Sequence, residues 1–472
     1  MPVPILRRIG VAPPRDMPRG ASHERAAVAA CASVRAVTRR RMCRRCVVAL
    51  GARLACTVLA ASLPLSSPAA AADTAVPAPL TLAHAVDTAR AGNPGLAELR
   101  ARADALAAVP DQAGAMPDPQ IAVGAANLPL YAFDFDREAM TQLQLGVRQT
   151  LPFPGKLALR ERIAELAVDV AVHGIAELEL ALVADVKTLW WELAYLAQAR
   201  TILDQNERLM RELVAIAHAK YEVGRGLQQD VLLAQLELSK LHDLAIRLEG
   251  RESAAWARLG ALLAWPPGTR ASLPADIPAA LPRLRGALAL RELADTRPRL
   301  AALASRIDAA ERGVDLARRE RYPDVDVSAG YGLRGGGRDD FASLNLSVSV
   351  PLFAARKQHR AVDQKRAELL AERHALADEA LRVEAAISAA RADFARARDS
   401  AELFGTGIVP QARQTVAAML AAYQVNEVDF LNLVRAEITL YDYEMQYWEA
   451  IAQANQALAR LAAAVGSEEV TQ

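Results

Sequence analysis

Residues 325–333 read Val-Asp-Val-Ser-Ala-Gly-Tyr-Gly-Leu, with an apolar residue at every odd position and a polar or very small residue between. Residues 344–350 read Leu-Asn-Leu-Ser-Val-Ser-Val and alternate in the same way. Alternation with a period of two predicts a β-strand that has one apolar and one polar face. Strands of this length and pattern are typical of segments that cross a bilayer with lipid on one side and water on the other. We predict four such strands, at about 119–127, 141–150, 324–333 and 342–350.

The chain also repeats itself at an offset near 200 residues. The matched segments keep their order: Asn93-Pro94-Gly95-Leu96 returns as Arg297-Pro298-Arg299-Leu300, Pro117-Asp118 as Pro323-Asp324, Leu151-Pro152-Phe153 as Val350-Pro351-Leu352-Phe353, and the segment 219–224 as 421–426. Such ordered matches indicate two copies of one structural unit. We therefore predict a presequence, two repeats joined by a Pro-rich linker, and a short tail, with bounds 1–72, 73–265, 266–285, 286–466 and 467–472.

Between the strands, apolar residues recur at helical spacing, as in Leu178, Leu182, Val186, Leu189 and Leu193. This spacing predicts long helices at about 156–222 and 355–423, the second with a kink or short break at Gly405, Gly407 and Pro410. Shorter helices are predicted at about 82–113, 229–263, 286–321 and 428–465. The predicted fold class is mainly α with a small β part, a tandem repeat of long antiparallel, coiled-coil-like helices and four strands.

Four strands cannot close a barrel with a wet interior, and an open sheet edge in lipid leaves backbone groups unpaired. Symmetric association solves this problem, since three chains would give a barrel of twelve strands. The alternative is a soluble helical bundle with surface hairpins, in which the polar face of each strand would serve no purpose.

The composition excludes a disulfide scaffold and a collagen-like chain, and it sets the first 72 residues apart from the rest. The whole chain of 472 residues has a net charge of +1, 52% hydrophobic residues and 4 Cys. The first 72 residues hold all the cysteines and 12 Arg, and the apolar run 54–65 before an alanine cluster is typical of a secretory signal. We expect translation to start at Met42. Lipidation of Cys56 and a disordered basic tail are the alternatives for this segment.

Taken together, these features resemble the TolC family of trimeric outer-membrane channel proteins, over about Leu80 to Gly466. The segments 117–120, 149–156 and 408–412 resemble its heavy-metal-efflux branch, which serves cobalt–zinc–cadmium and copper–silver pumps of the RND type. The resemblance implies an outer-membrane homotrimer with a periplasmic extension in a Gram-negative bacterium. Its implied partners are outer-membrane lipid, a periplasmic adaptor and an inner-membrane RND pump, and its implied role is that of a passive exit duct for efflux.

By that resemblance, the turns that end the long helices form two periplasmic tips at which an adaptor docks. The expected docking residues are Tyr221, Val223, Gly224, Arg225, Gly226 and Leu227 in the first turn, and Tyr423, Val425, Asn426 and Glu427 in the second. A chain that reverses onto its neighbour needs residues tolerant of positive φ, which Gly and, less readily, Asn supply. The alternative is that both are simply helix-ending turns.

The resemblance further implies that side chains just past each turn narrow the resting tunnel. Asp230 takes this position in the first repeat, and Asn432 and Arg435 take it in the second. Because Asn432 and Arg435 replace acidic residues of the family pattern, we expect Arg435 to form ion pairs with Asp230 or Glu437 that hold the entrance closed. Solvated surface charges are the alternative.

No pattern of catalytic residues is present, and we predict no enzyme activity, metal site or cofactor. The histidines after residue 72 have no His-x-x-x-His spacing, the methionines form no cluster, and residues 73–472 carry 44 basic and 53 acidic residues, which argues against nucleic acid. Multidrug efflux and type I protein secretion remain alternatives within the family. A soluble periplasmic helical scaffold is the alternative from another class.

Overall fold

The computed structural model describes residues 79–131, 134–425 and 427–471, which fall within one unit of the chain, Thr74–Gln472. The predicted presequence of residues 1–72, with Met42 and Cys56, lies outside the described residues. So does Asn426 of the second predicted tip.

Helices make up most of the described chain. The first repeat contains α1 Leu82–Gly92, α2 Pro94–Ala107, α3 Val109–Gly114, α4 Lys156–Glu222 and α5 Gln228–Leu262. The second contains α6 Ala287–Ala294, α7 Pro298–Arg319, α8 Gln358–Leu403, α9 Val409–Gln424 and α10 Phe430–Val465. At 1.5 Å per residue, the 67 residues of α4 extend over about 100 Å.

Two predicted helices are broken, and both break at a proline. The helix expected over 82–113 ends at Gly92, where Asn93 is extended and caps α2 by accepting hydrogen bonds from the N–H groups of Gly95 and Leu96. The helix expected over 286–321 divides in the same way before Pro298. A residue that precedes proline avoids the helical region, and proline is well suited to the first turn of a new helix.

The second long helix is interrupted as predicted. A π-helical turn, Phe404–Ile408, separates α8 from α9. A Cβ atom at Gly405 would lie 2.8 Å from Cε2 of Tyr447, so the absence of a side chain lets that ring of α10 approach the turn. Pro410 then lies in the first turn of α9.

The four strands form one antiparallel sheet in the order β1-β2-β3-β4: β1 Gln120–Ala126, β2 Gln142–Leu151, β3 Val325–Arg334 and β4 Phe341–Val348. The two repeats meet at the centre of the sheet, where Leu151 of β2 lies opposite Val325 of β3. β1 and β4 each pair with one strand only. The predicted fold class, mainly α with this small β part, is confirmed; the closed barrel requires more than one chain.

The core follows the long helices. α4 packs against α5, α7 and α10, and α8 packs against α7 and α10. Leucine, valine and alanine form its centre, with Val186, Leu193, Leu213, Leu433 and Ile451 exposed by at most 1%. Trp190 of α4 donates its ring N–H to the carbonyl of Leu80 at 2.9 Å, which fixes the start of the described chain against the bundle. No helix in the part of the chain that the structure describes is both long and apolar enough to cross a membrane.

Candidate functional site

One face of the sheet is apolar and fully open in the single chain. Ile121 and Val123 of β1 are 74% and 71% exposed, and Leu344 and Leu346 of β4 are 78% and 70% exposed. Burial of apolar surface provides about 25 cal/mol per Å², so leaving such a continuous surface in water is unfavourable. Something outside this chain therefore covers this face.

The opposite face of the sheet is polar. Arg148 of β2 forms an ion pair with Asp326 of β3 at 3.0 Å, and the hydroxyl of Thr150 donates to the same carboxylate at 2.6 Å. The other side chains along this face include the small or uncharged Gln142, Gln144, Ser328, Ser343 and Asn345, together with Arg334 at the end of β3. This face is suited to contact with water.

The first tip is a helix C-terminus closed by two backbone hydrogen bonds. The N–H of Arg225 donates to the carbonyl of Lys220 at 2.8 Å, and the N–H of Gly224 donates to that of Tyr221 at 2.9 Å. This is the Schellman arrangement, whose turn residue takes a left-handed conformation. Gly224 has φ of +70° and fills that position, as the sequence predicted.

The second tip repeats this turn. The N–H of Glu427 donates to the carbonyl of Ala422 at 2.9 Å, which is the same bond between the same positions of the repeat. α10 then begins at Phe430, just as α5 begins at Gln228. The two turns are therefore structural equivalents.

Contacts join the two tips within one chain. Nζ of Lys220 lies 3.8 Å from the ring centroid of Tyr423 and 3.4 Å from its carbonyl oxygen. The ring of Tyr423 lies 5.6 Å from that of Phe430. Burial raises the pKa of the Tyr423 hydroxyl, and the carboxylate of Asp230 raises it further.

The predicted docking residues differ in exposure. Val223 and Leu227 are 68% and 59% exposed, Val425 is 64% exposed, and Arg225 and Glu427 are exposed as well. Tyr221 is half exposed, whereas Tyr423 is 7% exposed and packs inside the bundle. Sequence reasoning treated the two tyrosines alike because their local sequences match. The contacts with Lys220 and Phe430 distinguish them.

The predicted entrance residues lie in the first turn of α5 and the first two turns of α10. Asp230 is half-buried, while Asn432 and Arg435 are exposed. Among the described residues, no carboxylate lies within 4.0 Å of the Arg435 guanidinium. The expected ion pair of Arg435 with Asp230 or Glu437 therefore does not form within one chain. The physical reason is that Arg435 faces solvent while Glu437 faces the core.

Glu437 is a buried charged residue that sequence reasoning did not place in the core. It is 5% exposed and continues the apolar stripe of Phe430, Leu433 and Val434 along α10. Burial raises the pKa of its carboxyl to about 7, and the neighbouring carboxylate of Glu444, itself paired with Arg413 of α9 at 2.7 Å, adds to that effect. Glu437 follows this stripe at helical spacing, and that spacing is the sequence signal that could have predicted its burial.

The raised pKa of Glu437 predicts a pH-dependent stability. Between its usual pKa of 4.5 and about 7, this carboxyl binds a proton in the folded chain but not in the unfolded chain. The free energy of unfolding therefore falls as the pH rises through this window. We expect Glu437→Gln to remove this part of the pH dependence. The unfolding temperature of the variant minus that of the wild type should therefore be about 3 °C larger at pH 8 than at pH 5.

Thermal unfolding followed by circular dichroism at both pH values measures this difference. Glu212→Gln removes an exposed carboxylate of α4 and serves as the control, which should keep the wild-type pH dependence. A Glu437→Gln variant that loses as much stability as the wild type over this range would show that the Glu437 carboxyl is already ionised at pH 5.

The fold thus combines an amphipathic sheet, paired long helices and two equivalent tip turns. The outer membrane efflux protein family matches residues 85–264 and 289–467, one stretch in each repeat and more than half of the chain together. The chain belongs to this family. Its members are passive conduits rather than enzymes, in agreement with the prediction from the sequence.

Named relatives agree with this assignment. The chain is 28% identical over 344 residues to protein CyaE of Bordetella pertussis, covering 68% of this chain and 71% of that protein. It is 24% identical over 183 residues to the cobalt-zinc-cadmium resistance protein CzcC of Cupriavidus metallidurans, covering 38% and 42% respectively. The structure of the outer-membrane channel OprN superposes with a TM-score of 0.70 at 19% identity, over 82% of this chain and 90% of that one.

The described residues contain no group of three or more His, Cys, Asp or Glu side chains placed to hold a metal ion.

Proposed function

We propose that this chain is the outer-membrane exit duct of a tripartite efflux system. Three copies would close their sheets into a twelve-stranded barrel whose apolar face meets lipid and whose polar face lines the pore. The observation that carries this proposal is the open apolar face of a sheet whose first and last strands both lack a second neighbour. A protein exported to the outer membrane needs a secretory signal, and residues 42–72 would supply it.

The tip turns are suited to docking a periplasmic adaptor. Val223, Leu227 and Val425 expose apolar side chains at the ends of the longest helices, and Arg225 and Glu427 add one charge of each sign. Tyr423 is buried and would instead hold the two tips together until a partner separates them. Asp230, Asn432 and Arg435 would line the tunnel entrance just behind these turns. An inner-membrane RND pump would supply the energy for transport through this passive duct.

For the cargo, we propose heavy-metal cations. The support is the similarity to the cobalt-zinc-cadmium resistance protein CzcC, together with the segments 117–120, 149–156 and 408–412. Small organic toxicants and secreted proteins are the competing cargoes, and a soluble scaffold is the competing role.

Deletion of the gene tests both the role and the cargo. We expect the deletion strain to be inhibited by several-fold lower concentrations of cobalt, zinc or cadmium, with unchanged sensitivity to organic antibiotics and unchanged secretion of proteins. Sensitivity to antibiotics alone, or loss of a secreted protein, would contradict heavy-metal cations as the cargo but would agree with the proposed role as an exit duct. Recovery of the protein in the soluble periplasmic fraction would contradict the duct itself.

A further inference from the structure

The two repeats of one chain meet at a junction built around one buried lysine. Lys156, at the start of α4, is 3% exposed, and its Nζ donates to the Asp324 carboxylate and to the Tyr322 carbonyl, each at 2.7 Å. The N–H of Phe153 donates to the same carboxylate at 2.8 Å, and the Phe153 ring stacks on Tyr322 with centroids 4.5 Å apart. We call these four residues the internal junction.

The sequence repeat places a counterpart of each of these residues at a free edge of the chain. Leu151-Pro152 matches Val350-Pro351, and Pro117-Asp118 matches Pro323-Asp324. The counterparts of Phe153 and Lys156 therefore follow β4, and the counterparts of Tyr322 and Asp324 precede β1. With Leu352 as a one-residue insertion, they are Phe353 and Arg356 after β4, and they are Met116 and Asp118 before β1.

In the single chain these counterparts are open and unpaired. Phe353 is 76% exposed and Met116 is 53% exposed. Arg356 and Asp118 are exposed, and among the described residues neither side chain has a hydrogen-bond or ion-pair partner. The same chemistry that joins the two repeats at the middle of the sheet, a large apolar pair and a cation with an aspartate, is thus split between its two edges.

We propose that β4 of one copy pairs with β1 of the next through a junction that repeats the internal one. Phe353 packs on Met116 of the neighbouring copy, and Arg356 pairs with Asp118 of the neighbouring copy. This inference deepens the proposed function, since it rests on several copies closing one barrel, and it identifies the residues and the strand register that join them. Lys357, next to Arg356 in sequence, is exposed and adds a second positive charge.

The repeat also fixes the register of the new strand pair. Leu151 lies opposite Val325 in the internal pairing, so its counterpart Val350 lies opposite Pro119 of the neighbouring copy. Two residues further along, Val348 then lies opposite Ile121. This register places apolar residues of both strands on the same face of the sheet, and a slip of one residue would put them on opposite faces.

Paired cysteines test this register. Ile121 and Val348 lie on the outer strands of one four-stranded sheet, so three strand spacings of about 4.8 Å alone separate them by about 14 Å or more, which is too far for a disulfide within one copy. The chain has no cysteine after Cys56 to compete. We expect Ile121→Cys with Val348→Cys to form covalent oligomers in the membrane under mild oxidation. The control pair, Ile121→Cys with Leu344→Cys, is displaced by four residues and should react at least tenfold more slowly.

Charge reversal tests the ion pair. Asp118→Arg should reduce the yield of intact oligomer in detergent, and adding Arg356→Asp should restore it. The protein could stay in the membrane as an oligomer while the displaced cysteine pair reacts faster or the charge reversal is not rescued. Either result would show that the proposed junction is wrong, without contradicting the proposed function as a duct. If the protein is soluble and monomeric, the proposed function fails as well.

Discussion

Replacing Leu346 by arginine is expected to prevent stable insertion into the outer membrane. Leu346 lies in the middle of β4, on the open apolar face, opposite Val327 of β3. An arginine on the lipid face near the middle of a bilayer costs about 2–4 kcal/mol, so three copies would incur about 6–12 kcal/mol per barrel. Membrane fractionation followed by an alkaline wash measures the fraction of the protein that remains inserted.

The matched control lies one residue away. Asn345→Arg introduces the same side chain on the polar face, opposite Ser328 of β3, where water can solvate it. We expect this variant to fractionate like the wild type. A soluble scaffold would tolerate arginine equally well at both positions, so equal behaviour of the two variants would contradict the membrane role of the sheet.

Replacing Lys156 by methionine is expected to destabilise the chain by about 2–3 kcal/mol. The change keeps the apolar stem but leaves the Asp324 carboxylate and the Tyr322 carbonyl without their buried donor. The cost lies below the 3–5 kcal/mol of a fully buried pair, because the Asp324 side chain is 38% exposed and keeps its bond from Phe153. The temperature of helix unfolding, followed by circular dichroism in detergent, should fall by several degrees.

A second lysine provides the comparison. Lys365 of α8 forms an ion pair with Glu368 at 2.8 Å, with the two side chains 45% and 46% exposed. Such exposed pairs contribute at most about 1 kcal/mol, so Lys365→Met should change the unfolding temperature little. Equal losses from both lysines would show that the internal junction is not a stabilising feature.

The strands and the long helices could be predicted from sequence because their patterns are local. In β3 and β4 each residue's face depends only on whether its position is odd or even, and the stripe of α4 depends only on a period of 3.6 residues. The breaks at Asn93 and Arg297 carried a local signal too, since each precedes a proline, but the apolar pattern continues through them.

The candidate site was less predictable because its residues depend on distant parts of the chain. Lys156 is buried by an aspartate 168 residues away, and sequence reasoning treats a lone lysine as a surface group. Tyr423 is buried by Lys220 of the other repeat, while its counterpart Tyr221 stays half exposed. By contrast, Arg435 and Glu437 lie two residues apart on α10, a spacing at which helical side chains do not face each other, so their pair could have been excluded from the sequence.

The central claim is that one face of this sheet contacts lipid and the other contacts water. Single cysteines at consecutive positions 343–348 of β4, treated in intact liposomes with a membrane-impermeant maleimide, test it most directly. We expect residues 343, 345 and 347 to react and residues 344, 346 and 348 to be protected. Equal labelling along the whole strand would contradict the claim.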